Sequence, residues 1–389
     1  MKVLHICLAA FYIDNFSYQE NLLPKYHKKN GLKVEIIASL ESFDANGNRI
    51  KLNKECEYIN EHGIKVKRLN YKGTKIARKL RIYKGTYEAI CEADPNIIFI
   101  HGCQFMDIKE VVRYVKSKPN IKIYVDNHAD FSNSATNYFS RTFLHGFIWK
   151  KCAQLIEPYT KKFYGVLPAR VDFLKDVYKL PKEKVDLLLM GADDEKVKLA
   201  NDTTLKNNLR EKYRINKDDF LIVTGGKIDN AKKQTFLLMK AVQKLNNPKV
   251  KLLVFGSVIE ELQSELNSLT DNEKIIFIGW LDSDETYKHF AIADLVVFPG
   301  RHSVFWEQVA GIGVPMLVKY WEGTTHINIG GNCEFLYEDT TSELLNKLNE
   351  LVSQPEKIEY MKNIARELGD NEFSYNMIAK KSVQYLGMH

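Results

Sequence analysis

The sequence predicts an α/β protein built from two consecutive domains, each with a parallel sheet covered by helices. Short apolar runs typical of buried strands alternate with helical patterns along nearly all of the 389 residues. The chain opens with a strand at 2–9, a helical pattern that stops near Asn30 and a strand at 34–38, which together make one βαβ unit. A second series of alternations begins at Phe220, so two domains of ordinary size are expected.

The later elements follow in a regular order. In the first domain, strands are expected at 97–101, 121–126, 163–167 and 185–189, and helices at 106–115, about 139–155 and 171–177. In the second, strands are expected at 220–223, 250–255, 275–278, 295–298 and 315–318, and helices at 235–245, 259–269, 284–293, 304–310, 342–352 and 357–368. A last helix at about 375–386 is expected after an interruption at 369–373, and the domain boundary near Met190.

Composition narrows the class of protein. Charged residues make up 27% and hydrophobic residues 45%, as in globular proteins, and no apolar run reaches the roughly 18–20 residues of a membrane span. The apolar N-terminus soon meets Asp14 without a signal-type cleavage site, so it is interpreted as a strand. The six cysteines are scattered, which favours free thiols in a reducing, cytoplasmic compartment and argues against structural zinc.

Charge is distributed unevenly along the chain. Residues 1–190 carry 32 lysines and arginines against 20 acidic residues, whereas the remainder carries 24 against 29. From Lys65 to Lys84 there are nine bases and no acid, interleaved with apolar residues. An anionic membrane surface or nucleic acid would fit this 65–84 segment, and a solvated face is the simpler alternative. None of the usual nucleic-acid-binding modules is recognisable, so a membrane surface is expected and nucleic acid is not.

The stretch from Phe298 to Pro315 is expected to hold an anionic ligand. Its preceding strand is broken by Pro299 and Gly300, and Ser303 is expected to cap the short helix that follows. The N–H groups at the start of such a helix are unpaired and commonly bind phosphate. A surface turn without a ligand is the alternative.

Three side chains of the same stretch add to this prediction. Arg301 and His302 supply positive or donor groups in the turn, and Glu307 lies one turn into the helix. A lone acid beside a phosphate site is placed to accept hydrogen bonds from ribose hydroxyls, as in dinucleotide sites. The alternative is a glutamate that faces water.

Other candidate sites lie at the carboxyl ends of predicted strands, where parallel sheets bind ligands. Gly226, Lys227 and Lys232 follow the first strand of the second domain, and both amines could reach one pyrophosphate. His128 ends a strand among polar residues and could bind ligand or transfer a proton, although a hydrogen-bonded structural histidine is the simpler reading. The loops expected to line a cleft between the domains are 8–21, 101–104, 126–133, 225–233, 256–258, 279–282 and 299–307.

The pair Asp282 and Asp284 has the Asp-x-Asp form of a metal–nucleotide site. It precedes a helix, so capping by Ser283 or Asp284 explains it more simply. No metal site is therefore expected. Capping is also expected of Asp193 and Asp194.

Four segments resemble motifs of family 4 glycosyltransferases, which have the GT-B fold. Gly226-Lys-Ile-Asp-Asn-Ala-Lys232 is similar to that family's Gly-Arg-Leu-x-x-x-Lys phosphate loop, and Trp306-Glu-Gln-Val-Ala-Gly-Ile-Gly-Val-Pro315 to its Glu-Ala-Met-Ala-x-Gly-x-Pro segment. Residues 189–193 are similar to its Asn-Gly-Val-Asp, and Tyr18–His27 to its first helix, especially in capsule and O-antigen enzymes. The family's Glu-x7-Glu is incomplete, because Pro299 stands where the first Glu would be.

The resemblance implies two Rossmann-like domains that face a central cleft. Residues 1–190 would form the acceptor-side domain, to which a C-terminal helix at 373–389 crosses back, and residues 191–372 the nucleotide-sugar domain. The implied activity is that of a metal-independent, retaining glycosyltransferase without a cofactor. It would move a sugar from a nucleotide sugar to a glycan or lipid-linked acceptor in cell-surface polysaccharide synthesis (capsule or lipopolysaccharide), on the inner face of the membrane.

The same resemblance implies a role for each candidate residue. Glu307 would hold the ribose, and His128 and His302 would contact the transferred sugar. The diphosphate would be bound by Gly226, Lys227, Lys232 and the amides of Ser303 and Val304, and the acceptor side would include Tyr18, Gln19 and Asn21. A nucleotide-sugar 2-epimerase of this architecture and a non-catalytic nucleotide-sugar-binding protein remain as alternatives.

Overall fold

A computed structural model describes residues 1–43 and 49–383, apart from the side chain of Asp370. The chain divides into two compact units. Unit 1 is Met1–Met190 together with the chain from Tyr375 onward, and unit 2 is Gly191–Ser374. Both units are α/β with parallel sheets, as predicted. The expected end of the last helix, 384–386, lies outside the described residues.

Unit 1 contains ten strands and six of the α-helices among its described residues up to Met190. They are β1 (Lys2–Cys7), α1 (Gln19–Lys29), β2 (Lys33–Ser39), β3 (Glu41–Phe43), β4 (Arg49–Lys51), β5 (Cys56–Ile59), β6 (Lys65–Leu69), α2 (Lys75–Lys79), α3 (Thr86–Ala93), β7 (Ile97–His101), α4 (Ile108–Ser117), β8 (Lys122–Asn127), α5 (Lys150–Ile156), β9 (Thr160–Gly165), α6 (Pro168–Asp176) and β10 (Val185–Leu187). A π-helix at Ser140–Trp149 precedes α5, and 3-10 turns lie at Glu157–Tyr159 and Lys182–Lys184.

The main sheet of unit 1 has the order β10-β9-β8-β7-β1-β2-β6-β5 and is parallel except at β5. Side chains alternate between its faces because the strand period is two. Leu4 and Ile6 of β1 pack into one core layer with α4 and α5, whereas Val3 and Cys7 pack into the other with α1. Because β1, β7 and β8 are parallel neighbours, their carboxyl ends lie at the same edge of the sheet. Strands β3 and β4 form a separate antiparallel pair.

Unit 2 continues the alternation. Its elements are α7 (Asp194–Ala200), α8 (Thr203–Lys212), β11 (Phe220–Gly225), α9 (Gln234–Lys244), β12 (Val250–Phe255), α10 (Gln263–Leu269), β13 (Ile275–Phe277), α11 (Ser283–Ala291), β14 (Leu295–Phe298), α12 (Phe305–Ile312), β15 (Met316–Lys319), β16 (Cys333–Leu336), α13 (Thr341–Ser353) and α14 (Pro355–Glu372), with 3-10 turns at Glu260–Leu262 and Thr325–Ile327. The six strands form a parallel sheet of order β13-β12-β11-β14-β15-β16. The carboxyl ends of β11 and β14, the central pair, therefore lie side by side.

The last described helix, α15 (Tyr375–Ser382), packs in unit 1. Its buried residues Tyr375, Ile378 and Ala379 join the core layer formed by α1. The predicted interruption at 369–373 is wrong, because α14 runs on through Glu372 before the chain turns into α15.

Two further predictions are corrected by the structure. The predicted helix at 139–155 is wound as a π-helix at Ser140–Trp149 and continues as α5. The basic 65–84 segment is not one exposed stretch, because its first five residues form β6 inside the main sheet and Arg68 is buried against Asp14. Among the described helices, none has the length and apolarity needed to cross a membrane.

Candidate functional site

The backbone at the end of β11 comes very close to the next strand. A Cβ on Gly256 would lie 1.9 Å from the carbonyl oxygen of Gly226, and a Cβ on Gly225 would lie 2.2 Å from the Phe255 ring. Only glycine fits at these two positions. Gly226 itself has φ +127° and leaves its Cβ direction open except for Phe305 at 3.8 Å. The loop therefore offers backbone that a ligand can approach.

Three cations surround this loop. Lys227 is exposed, with its Nζ 3.8 Å from an Asp229 carboxylate oxygen. Burial lowers the pKa of Lys232; Asp229 opposes this shift, and the positive charges of Lys227 and Arg301 add to it. Because the neighbouring cations disfavour the protonated form of Lys232, an anion bound there would stabilise it. This is the predicted diphosphate position.

Helix α12 begins beside the same turn. Its N-cap residue is Val304, which makes no side-chain cap, so the expectation that Ser303 caps the helix is wrong. The first N–H groups of a helix have no intrahelical acceptor and carry the positive end of the helix dipole. Gly313 ends the helix in the left-handed conformation, with φ +85°. The predicted amides of Ser303 and Val304 lie at this end of α12.

Glu307 lies in the first turn of α12 and is fully buried. Its Oε1 is 2.7 Å from His302 Nε2 and 2.9 Å from His326 Nε2. Burial alone would raise the pKa of Glu307, but the charges and hydrogen bonds of the two histidines bring it well below the ordinary value. Glu307 is therefore a carboxylate held by two donors.

The second carboxylate oxygen of Glu307 is not used by the described residues. Oε2 is buried and has no hydrogen-bond partner among them, and the same holds for His326 Nδ1. A buried carboxylate oxygen without a donor costs free energy, so a ligand hydroxyl donor would be bound favourably there. The ligand atoms of His302, Glu307 and His326 also lie within 4.8 Å of one another and could hold a cation if the shared protons were displaced.

In unit 1, His128 follows directly after β8 and lies beside two acids. Its Nε2 is 3.6 Å from Asp126 Oδ1 and 3.9 Å from Glu20 Oε1. Burial would lower the pKa of His128, but these two carboxylates raise it above the ordinary value. The side chain keeps 29% of its surface exposed, while its Nε2 is buried and has no hydrogen-bond partner among the described residues.

The three acceptor-side candidates lie around the start of α1. Gln19 is buried and donates from Nε2 to Asp126 Oδ2 at 3.0 Å, which ties it to the same carboxylate that faces His128. Asn21 donates to the Ile13 carbonyl at 2.8 Å and is also buried. Tyr18 is 41% exposed and is the one of the three that offers a broad surface to a ligand.

The Asp-x-Asp pair has a structural use. Asp282 is the N-cap of α11 and accepts from the backbone N–H of Asp284 and Glu285, so the cap is Asp282 rather than Ser283 or Asp284. Asp284 pairs with Lys196 at 2.8 Å. Asp193 likewise caps α7.

Part of this chain is similar to known proteins in sequence. Residues 206–368 match the family model described as glycosyl transferases group 1. An uncharacterized glycosyltransferase of Methanocaldococcus jannaschii is 22% identical over 213 residues, which are 53% of this chain and 55% of that protein. The match thus spans about half of the relative's length.

Two solved structures are similar over nearly the whole chain. HepE of Anabaena in complex with UDP has a TM-score of 0.67 at 14% identity, with 100% of both chains covered. The UDP-GlcNAc 2-epimerase of Neisseria meningitidis bound to UDP-GlcNAc has a TM-score of 0.64 at 12% identity, with 99% of both covered. The fold is GT-B. At these identities the likeness concerns the GT-B fold alone.

The family match places the candidate anion site inside the recognised segment of this GT-B chain. Segment 206–368 contains Gly226, Lys227, Lys232, His302 and Glu307, whereas His128 and the residues of α1 lie outside it. Sequence reasoning missed His326, because nothing near it in sequence marks it as a partner of Glu307. His101 was included in the candidate loop 101–104, but its contacts with His5 and Asp126 were not predicted.

Proposed function

We propose that this GT-B protein is a glycosyltransferase that takes its sugar from a nucleotide-diphosphate donor. The observation that carries the proposal is the pairing, in unit 2, of a cationic glycine loop with a buried carboxylate that keeps one oxygen without a partner. The loop with Lys227, Lys232 and Arg301 suits a diphosphate, and Glu307 Oε2 suits a ribose hydroxyl. Both features lie in the segment that matches the group 1 transferase model.

The proposed chemistry is stabilisation of the leaving group. As the bond between the anomeric carbon and the diphosphate breaks, negative charge grows on the diphosphate oxygens. Lys227, Lys232 and the amides at the start of α12 would neutralise that charge without moving, which is an oxyanion-type effect. His128 and His302 are proposed to contact the transferred sugar, and Tyr18, Gln19 and Asn21 to lie on the acceptor side, with retention of the anomeric configuration.

Incubation with a panel of nucleotide sugars, with and without a glycan or lipid-linked acceptor, tests this function. UDP-sugars are the first probes, because both structures named above were solved with UDP or a UDP-sugar. A glycosylated acceptor plus free nucleoside diphosphate supports the proposal. Release of a free epimer without acceptor would identify an epimerase instead, and binding without turnover a non-catalytic binder.

The positive groups are expected to replace a metal ion. Activity should therefore survive EDTA.

Because protonated Lys232 binds the diphosphate and its pKa lies below the ordinary value, donor KM should rise with increasing pH earlier than an unperturbed lysine would allow. Lys232→Arg, which stays charged, should move that rise to higher pH. Initial rates at pH 7–10 measure both effects.

Loss of activity in EDTA would contradict the expectation that no metal ion is needed. It would direct attention to His302, Glu307 and His326, since Asp282 and Asp284 are otherwise engaged.

We also propose that unit 1 binds an anionic membrane surface that presents the acceptor, as on the inner leaflet of a plasma membrane. Within the 65–84 segment, Arg78 pairs with Glu41 although its side chain is 58% exposed, and Arg81 donates to the Gln104 carbonyl. The other exposed cations of the segment are Lys72, Lys75, Lys79 and Lys84. The Arg81 guanidinium lies 5.8 Å from the ring of Trp149, which links this segment to the π-helix.

The π-helix adds an aromatic surface to those cations. Phe139, Phe143 and Phe147 recur every four residues and are 62%, 53% and 55% exposed, and Tyr138 is 79% exposed. From Phe131 to Ile156 the sequence contains no acid. Exposed aromatics beside lysines are typical of surfaces that enter the headgroup region of a bilayer.

Liposome sedimentation should show binding that needs anionic lipid and weakens with salt. Replacing Lys72, Lys75 and Lys79 by Gln should weaken binding on the order of 10²-fold, because each base near such a surface contributes about 1 kcal/mol. Phe139→Ser with Phe143→Ser should weaken it further. The matched control replaces three exposed lysines of unit 2, Lys198, Lys217 and Lys244, by Gln. Equal binding to neutral liposomes would contradict the expectation.

A further inference from the structure

Three buried histidines form a continuous hydrogen-bonded row in unit 1. His27 of α1, His5 of β1 and His101 of β7 are each 0% exposed. His27 Nδ1 lies 3.0 Å from His5 Nε2, and His5 Nδ1 lies 2.9 Å from His101 Nε2. Both ring–ring contacts are therefore at hydrogen-bond distance.

Both ends of the row contact defined groups. At one end, His101 Nδ1 lies 2.7 Å from Asp126 Oδ2, on the adjacent strand of the sheet. At the other, His27 Nε2 lies 2.8 Å from the hydroxyl of Ser382 and 3.1 Å from the carbonyl of Ala379, both in α15. The row thus joins the last helix of the chain to the carboxylate that faces His128.

Counting protons relates the order of this row to the direction in which the Ser382 hydroxyl donates. Each ring–ring contact needs one proton, and Asp126 needs one from His101, because a carboxylate only accepts. Three neutral rings carry three protons, so all three must be Nδ1–H, and His27 Nε2 must then accept from the Ser382 hydroxyl. If Ser382 instead donates to Ala379, 2.8 Å away, His27 Nε2 needs a fourth proton and the row becomes cationic.

We propose that His27, His5 and His101 are positioning residues that hold Asp126 in place for His128. Through Ser382, the same row couples the position of Asp126 to the packing of α15. The proposal rests on the proposed function of His128 in sugar transfer. Burial, and the neighbouring rings, hold the pKa of His5 well below its ordinary value, and burial lowers that of His27 to about 4, which agrees with the neutral row.

The row does more than fill space in the core. Ordinary packing under α1 and α15 would use the apolar residues that surround these rings, such as Phe99, whose ring centroid is 5.4 Å from that of His5. Buried polar groups without partners are costly, so a row of three rings is stable only while both ends are satisfied. Loss of the hydroxyl donor at Ser382 is therefore expected to change the hydrogen bond between His101 and Asp126.

The first test is the nitrogen-15 NMR spectrum of the histidine rings in the full-length protein. At neutral pH, His5, His27 and His101 should all be neutral Nδ1–H rings, the opposite of the tautomer that free histidine prefers. A spectrum in which His27 Nε2 carries the proton would overturn the proposed order. This measurement needs no substitution, so it decides the tautomer order even if a variant fails to fold.

The second test removes the donor. Ser382→Ala leaves only the Ala379 carbonyl facing His27 Nε2, so that nitrogen should become protonated. Either every hydrogen bond in the row reverses, so that His101 Nδ1 no longer carries a proton to donate to Asp126, or a fourth proton enters and the row becomes cationic. We expect kcat to fall about 10-fold, the effect of losing one charged hydrogen bond, with donor KM changed less than about 2-fold. Ser382→Thr, which keeps the hydroxyl, should restore both the spectrum and kcat.

A matched control separates this effect from simple loosening of α15. Tyr164 donates from its hydroxyl to the backbone carbonyl of Ser382 at 3.2 Å, outside the row. Tyr164→Phe should leave the three tautomers and kcat unchanged. If Ser382→Ala keeps the wild-type nitrogen shifts and kcat, the coupling is overturned. If no nucleotide sugar is turned over, the proposed function fails, while the nitrogen shifts still decide the order of the row.

Discussion

Glu307→Ala is expected to raise the donor KM roughly 10–150-fold or to abolish turnover, because a charged hydrogen bond contributes about 1.5–3 kcal/mol. The expectation follows from the unpartnered Oε2 in a fully buried carboxylate. Initial rates over a range of donor concentrations, with a thermal melt to show that the fold persists, measure the effect. Unchanged kinetics with a saturable donor would remove Glu307 from the site.

Companion variants sharpen this result. His326→Ala removes one of the two donors that hold Oε1 and leaves Oε2 in place, so its effect on KM should be smaller than that of Glu307→Ala. Val309 lies on the same helix and is also buried, and its side chain is apolar, which makes Val309→Ala a matched control for disturbance of α12. A control that raises KM as much as Glu307→Ala would show that the helix, not the carboxylate, matters.

His128→Ala is expected to lower kcat on the order of 10²-fold while raising donor KM less, since a positioned group acts mainly as the sugar becomes oxocarbenium-like. His302→Ala should show the reverse, a higher KM with a smaller change in kcat, if His302 acts as a ground-state ligand and as a partner of Glu307. Steady-state kinetics of both variants provide the measurement.

The histidine experiment has its own controls. His62 lies in unit 1, is 22% exposed and has no proposed role, so His62→Ala should keep wild-type rates. NMR of the product should show the donor's anomeric configuration. An inverted product would contradict the retaining mechanism, and a normal kcat in His128→Ala would remove that residue alone.

The fold was predictable where apolar runs are bounded by breakers. Strands 97–101, 250–255 and 295–298 coincide with β7, β12 and β14, because parallel strands buried on both faces are continuous apolar runs. Strand β6 was not predictable in this way. Its Lys65 and Lys67 pair with Glu57 and Glu92, and such partners, 8 to 27 residues distant in the chain, are invisible in a local pattern.

The candidate site was predictable only as far as neighbours in sequence define it. One stretch of about ten residues contains the turn after β14, His302 and Glu307, so a local pattern was enough to predict them as one site. His326 reaches Glu307 from a separate 3-10 turn, and His5, His27 and His101 meet only because β1, α1 and β7 pack together. The roles of these residues remain predictions.

The position of α15 also affects how the chain must fold during its synthesis. Unit 2 is contiguous, so it can acquire its core as soon as it leaves the ribosome. Unit 1 is interrupted, since one layer of its core needs Tyr375, Ile378 and Ala379. At ribosomal rates, roughly 10–40 s separate the emergence of Met190 from that of α15. Throughout that interval the residues of α1 that pack with α15 lack that cover, so we expect apolar surface to be exposed on the nascent chain.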